Sequence, residues 1–116
     1  MRNGLIEYLP DLFADFGAVS ARPMFGGHGI YRGEVLIGIV LDEVLYLKVD
    51  AQTRPTFEAA GCIPCIYMRQ RVPITMGYWT VPEEAMDSAQ AMLPWAQLAL
   101  GAALRKSRAT RRRTRN

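Results

Sequence analysis

The chain has 116 residues, is half hydrophobic and 22% charged, and carries two cysteines and a formal net charge of +3. That length suits one domain with a core of its own, and two thiols exclude a disulfide framework. The apolar stretches at 35–41 and 98–104 are far too short to span a bilayer, and Glu7, Asp11 and Asp15 interrupt the region where a signal peptide would be uncharged, so the expected location is cytoplasmic, away from any membrane.

Leu5, Ile6, Leu9, Leu12, Phe13 and Phe16 repeat at helical spacing, opposite Glu7, Asp11 and Asp15. Pro10 falls inside that pattern. It removes one backbone hydrogen bond and clashes one turn back, which predicts a kink or two short pieces, with Gly17 as the stop. Residues 21–49 then read as consecutive strands, with Gly26-Gly27 and Arg32-Gly33 where tight turns or bulges would fall and Asp42-Glu43 as the next reversal. Ile37, Ile39 and Leu41 share one face, and Leu36, Gly38 and Val40 the other, the pattern of a central strand. Leu45, Leu47 and Val49 alternate with Val44, Tyr46 and Lys48, as in a half-buried one.

Asp50 or Thr53 can cap a short helix that runs past Pro55 to Ala60 and closes at Gly61. Residues 66–69 and 75–81 are the next predicted strands, with Pro73 in the connection. Pro82-Glu83-Glu84 opens the last helical region. Its apolar stripe reads Met86, Ala89, Leu93, Ala96, Leu100, Ala103 and Leu104, and Pro94 is expected to divide it. Short turns between neighbouring strands, bracketed by amphipathic helices, predict an α+β fold: two layers, with an antiparallel sheet of five or six strands and helices packed on one face.

The net charge hides an asymmetry. Arg105, Lys106, Arg108, Arg111, Arg112, Arg113 and Arg115 fall in residues 105–116, which contain no acid. Without these seven cations the remainder has seven against eleven acids, a net of −4. The organisation expected is a domain at 1–104 followed by a basic tail at 105–116. The tail should be disordered, because like charges repel and nothing apolar offsets the loss of chain entropy. Such an arginine cluster attracts phosphate by counterion release, so non-specific nucleic acid is one candidate partner; simple solubilisation is the other reading.

Cys62-Ile-Pro-Cys65 has the spacing of a disulfide or a shared metal. Redox sites of this kind lie between a strand and a helix N-terminus, whereas here a helix precedes and a strand follows. Zinc would need His28 and carboxylates, or a second chain's pair across a two-fold axis. Structural thiols and a redox or metal role both stand as readings. Phe25-Gly26-Gly27-His28-Gly29 has no helix behind it to cradle a phosphate, and reads as a turn or bulge where strands approach closely. His28 is the only histidine, and neither Ser20 nor Ser88 sits in a nucleophile elbow. No catalytic residue, metal site or cofactor is therefore expected, and no enzymatic activity. Tyr31, Tyr46, Tyr67, Tyr78 and Trp79 are spread over the strands, as core, partner surface or a stacking platform for single-stranded nucleic acid.

The run Arg22-Pro-Met-Phe-Gly-Gly-His-Gly-Ile-Tyr31 resembles the N-terminal domain of the TfoX/Sxy competence regulators. The resemblance continues through Leu45-Tyr-Leu-Lys-Val-Asp50, Gly77-Tyr-Trp79 and Pro94-Trp95, and covers roughly residues 5–106. It implies a sheet covered by helices, with Met24, Phe25, Gly26, Gly27, Gly29 and Tyr31 as a structural motif. It further implies a bacterial, non-enzymatic module for regulation or interaction, linked to transcription, whose partner is another protein or a second copy in a homodimer. Full-length regulators add a helical C-terminal domain, and this chain is expected to end before one begins. The cysteine pair departs from the family's pattern.

Overall fold

The computed structural model describes the backbone of residues 4–24, 26–69 and 71–115, and the side chains of those residues except 67–69, 72–76 and 110–115. Phe25 lies outside the described residues, as do the side chains of Tyr67, Arg111, Arg112, Arg113 and Arg115.

The first helix, α1 (Leu5–Leu12), runs through Pro10 in one piece, contrary to the division expected there. The proline forfeits a single bond to the Ile6 carbonyl, while Leu9 and Leu12 on either side of it are buried, and that burial outweighs the loss. The Glu43 carboxylate accepts the Leu5 N–H at 2.7 Å, placing a negative charge at the helix N-terminus.

Six strands follow: β1 (Ser20–Met24), β2 (Gly27–Arg32), β3 (Val35–Leu41), β4 (Val44–Lys48), β5 (Pro64–Arg69) and β6 (Val72–Thr80). They form one open sheet in the order β1-β2-β3-β4-β6-β5, antiparallel throughout. Asp42 and Glu43 turn β3 into β4 at φ 51° and 63°, the left-handed pair that a two-residue hairpin requires. Pro73 lies within β6, opposite Met68, and not in a connection as expected. Over that stretch β6 has β5 as its only neighbour, since its pairing with β4 is confined to residues 78–80. The missing N–H therefore faces no ladder.

Between β4 and β5 lies α2 (Arg54–Ala59). After β6 a 3-10 turn at Glu83–Met86 precedes α3 (Ala89–Arg115), so the expected last helical region is two elements. The Ser88 hydroxyl caps α3 by accepting the Ala91 N–H at 3.0 Å. Pro94 does not divide the helix. Met92, before the proline, and Ala96 and Ala99, after it, are all buried in the same core, which holds both sides in line. The contact stripe also differs from the expected one: Met92, Ala96, Ala99, Ala102 and Ala103 are buried, Leu93 and Leu100 are half-buried, and Leu104 is exposed. Small residues let the helix backbone lie close on β3 and β4, so the leucines flank the contact instead of making it.

A further difference concerns residues 105–115, expected as a disordered tail and found as the last three turns of α3. A boundary at 104 thus falls inside a helix. Arginine is a good helix former, and no Gly or Pro follows Gly101, so an existing helix extends at little cost.

α3 packs on the sheet, α1 touches α3, and Phe57 of α2 meets Trp95 edge-on with ring centroids 5.0 Å apart. One core joins Leu9, Leu12, Phe13, Ile30, Ile37, Leu47, Phe57 and Met92, which gives the two-layer α+β arrangement expected.

Candidate functional site

The glycine-rich segment builds the sheet. Gly26 reverses the chain between β1 and β2 at φ +77°. Gly27 lies so close to β3 that a Cβ there would collide with the Val40 carbonyl oxygen. On the other side of β3, a Cβ on Gly38 would sit 2.7 Å from the Tyr46 carbonyl oxygen. The bulge expected in this segment falls slightly later, between Ile30 and Tyr31. A Cβ on Gly29 would meet the Met24 sulfur at 2.8 Å, and Arg22 covers the Tyr31 ring at 4.1 Å. Met24, Gly26, Gly27, Gly29 and Tyr31 are thus parts of one strand pair.

Cys62 precedes β5 and Cys65 lies within it; both are free and buried. Burial pushes both thiols up; at Cys62 a hydrogen bond with Thr80 opposes this and Glu84 reinforces it. These shifts run opposite to the activation of a reactive thiol. Among the described residues no group of three His, Cys, Asp or Glu side chains is placed to share a metal ion.

Polar groups converge elsewhere, where β3 and β4 part. Their pairing stops at Gly38 and Leu47, although β3 reaches back to Val35 and β4 on to Lys48. A cleft of about 470 Å³ opens there, lined by Glu34, Val35 and Leu36, by Lys48 and Tyr78, and by Ala103, Lys106 and Ser107 from α3. Lys48 is only 9% exposed, and its ammonium lies 4.8 Å from the centroid of the Tyr78 ring, its partner in strand register. Burial and then Lys106 push the Lys48 ammonium below its ordinary pKa, with Asp50 opposing.

That acid is already engaged. Arg105 donates from Nε to Asp50 Oδ2 at 2.6 Å and from Nη2 to Oδ1 at 3.1 Å, a two-point pair. Asp50 Oδ1 also accepts the Gln52 and Thr53 N–H groups, each at 3.1 Å. These contacts, the Arg105 hydrogen bond first, hold the Asp50 carboxyl down to about 2. Neither Asp50 nor Thr53, the two caps expected for α2, caps it through its side chain; Asp50 instead closes a turn on Gln52 and Thr53 ahead of the helix and ties α3 to the end of β4.

The basic residues singled out from the sequence consequently divide. Arg105 is committed to Asp50, Lys106 lines the cleft, and Arg108 is exposed further along the helix. Lys48 and Tyr78 carried no signal as a pair in the sequence, because only the placement of β6 beside β4 makes them neighbours. Their opposite alternation to Leu45, Leu47 and Trp79 was the one available hint.

The TfoX N-terminal domain family matches residues 11–103. The DNA transformation protein TfoX1 of Aliivibrio fischeri (strain ATCC 700601 / ES114) is 27% identical over 82 residues, which cover 67% of this chain and 39% of that protein. The chain thus spans about two fifths of the length of that curated relative.

Proposed function

The chain belongs to the TfoX N-terminal domain family, and from that premise we propose a non-enzymatic regulatory module of the bacterial cytoplasm that works by holding a protein partner. The similarity to a DNA transformation protein supports DNA transformation as the process, and the regulation we assign to the module is of transcription. The partner we assign first is a second copy of this chain. The observation that carries this reading is the β5 edge of the sheet, where Ile63 is 62% exposed and Ile66 is 56% exposed. The opposite edge, β1, is protected by Arg22 and the proline at Pro23. An isologous contact between two β5 edges would extend the sheet and cover both isoleucines.

Light scattering at about 100 μM should show a dimer, and Ile66→Lys should weaken it by about tenfold or more while the circular dichroism stays native. A wild-type chain that remains monomeric at that concentration contradicts the self-association.

A second reading, association with nucleic acid, draws on the helical state of the basic segment. That helix carries five basic residues between 108 and 115 and no acid. Deleting residues 108–116 removes five cations and takes the formal charge from +3 to −2, while keeping Arg105 on Asp50. This truncation should lose duplex binding. Because Arg105 is held by Asp50, six of the seven cations remain for phosphate, so the log–log salt slope of the intact chain should not exceed about five in magnitude. A truncated chain that still binds one duplex selectively would place recognition on the folded face.

A further inference from the structure

We infer that the cleft between β3, β4 and α3 is a binding site for a small organic phosphate, held between the ammonium groups of Lys48 and Lys106. Three observations converge on this. The two lysines come from elements 58 positions apart in sequence and meet at one cavity, and they are the only two lysines in the chain. Lys48 is nine-tenths buried there. No ion pair among the described residues engages either lysine.

The two carboxylates near this position are both drawn to arginines. Asp50 is closed by Arg105 at 2.6 Å. Glu34 also lines the cavity, but its side chain is 91% exposed and lies 3.8 Å from Arg22. Two like charges therefore meet at one cavity whose nearest carboxylates, Asp50 and Glu34, are each drawn to an arginine, an arrangement that favours an anionic ligand between the lysines. Burial and Lys106 lower the Lys48 pKa against the opposing effect of Asp50, and a bound phosphate would add to the opposing side. Arginine supplies twelve of the fourteen basic residues, yet this cleft uses the compact ammonium at both positions. Two such groups can each meet a separate oxygen of one phosphate.

The rest of the cavity suits the remainder of such a molecule. Val35, Leu36 and Ala103 provide apolar wall, and Tyr78 an aromatic surface. A volume of about 470 Å³ lies within the ordinary range for small-ligand sites. This inference is independent of the β5 edge, which belongs to a different part of the sheet, so either proposal can fail alone.

The test is calorimetric titration of the full chain with phenyl phosphate, inorganic phosphate and benzoate, at ionic strength matched with chloride. Saturable one-to-one binding of phenyl phosphate is expected, tighter than that of inorganic phosphate or benzoate. Lys48→Met and Lys106→Met should each weaken it by about tenfold or more, whereas Arg108→Met, on the same helix beyond the cleft, should change it less than about twofold. Lys106 is exposed, so its substitution keeps the test valid even where replacing the buried Lys48 disturbs folding. Absence of saturable phenyl phosphate binding at about 10 mM overturns the proposal. So does an equal loss in Arg108→Met, which would mean general attraction to the helix. A single-stranded oligonucleotide that binds through Lys48 and Lys106 while phenyl phosphate does not would assign the cleft to a polymer backbone and overturn the small-molecule site.

Discussion

Gly27→Ala is expected to destabilise the fold by at least about 3 kcal/mol, although it adds a single methyl group. The obstacle is backbone. A Cβ at this position meets the Val40 carbonyl oxygen, with the Leu41 Cδ2 methyl at 2.6 Å behind it. Relief requires β2 to move away from β3, and that pair is central to the sheet: Ile30 on β2 and Ile37 on β3 are both fully buried. In a domain of this size the loss corresponds to a fall in Tm of roughly 12 °C or more. Neighbouring glycines supply the controls. A methyl on Gly29 meets side chains only, Met24 Sδ at 2.8 Å and Leu36 Cδ1 and Tyr31 Cε1 each at 3.1 Å, which can give way where backbone cannot. At Gly26 nothing among the described residues lies within 4 Å, and the cost is that of φ +77° for a residue with a Cβ. Each of these should cost about 1 kcal/mol. Urea unfolding of the three variants decides the matter, and a Gly27→Ala protein within about 1 kcal/mol of wild type would refute the close-approach account.

Asp50→Asn should remove about 2 kcal/mol at neutral pH, and the difference should vanish in acid. The folded carboxyl sits at about 2 against an ordinary 3.8, chiefly because Arg105 donates to it. Because the folded value is the lower one, the contribution is complete above the unfolded value near 3.8 and is lost as the pH falls through about 2. Asparagine can still accept from the backbone but offers Arg105 no charge. The gap between wild type and Asp50→Asn should therefore be constant above about pH 5 and close between about pH 4 and pH 2. Amide exchange in residues 103–107 should quicken in the variant, since the pair is what fastens that part of α3 to the end of β4. A gap of unchanged size at pH 2.5 would mean that the carboxylate charge contributes nothing and that the turn geometry alone is responsible.

Much of the fold was legible from neighbouring residues. Alternation at 35–41 and 44–49 marked β3 and β4, Asp42-Glu43 marked the reversal between them, and helical spacing at 5–16 marked α1. The run at 22–31 identified the family, because its glycines occupy a turn and a close strand crossing that few other residues could fill. These are local facts: side-chain period, φ preference and missing donors act within a few residues of their cause.

The errors and omissions share an opposite origin. Pro10 and Pro94 are local breakers, but tertiary burial on both sides of each kept its helix whole. The stripe of α3 rotated from leucines to alanines because the closeness of the sheet, not the size of the residue, chose the contact. The basic segment became helix because α3 was already nucleated ahead of it. Above all, Lys48 meets Tyr78 and Asp50 meets Arg105, 55 positions away, only because β6 inserts between β4 and β5 and α3 then crosses the same end of the sheet. The sequence by itself determined the elements, their class and the family motif. The tertiary structure alone decided the cleft, because strand order and helix placement follow from the total burial of many distant pairs, and no single stretch of chain carries that information.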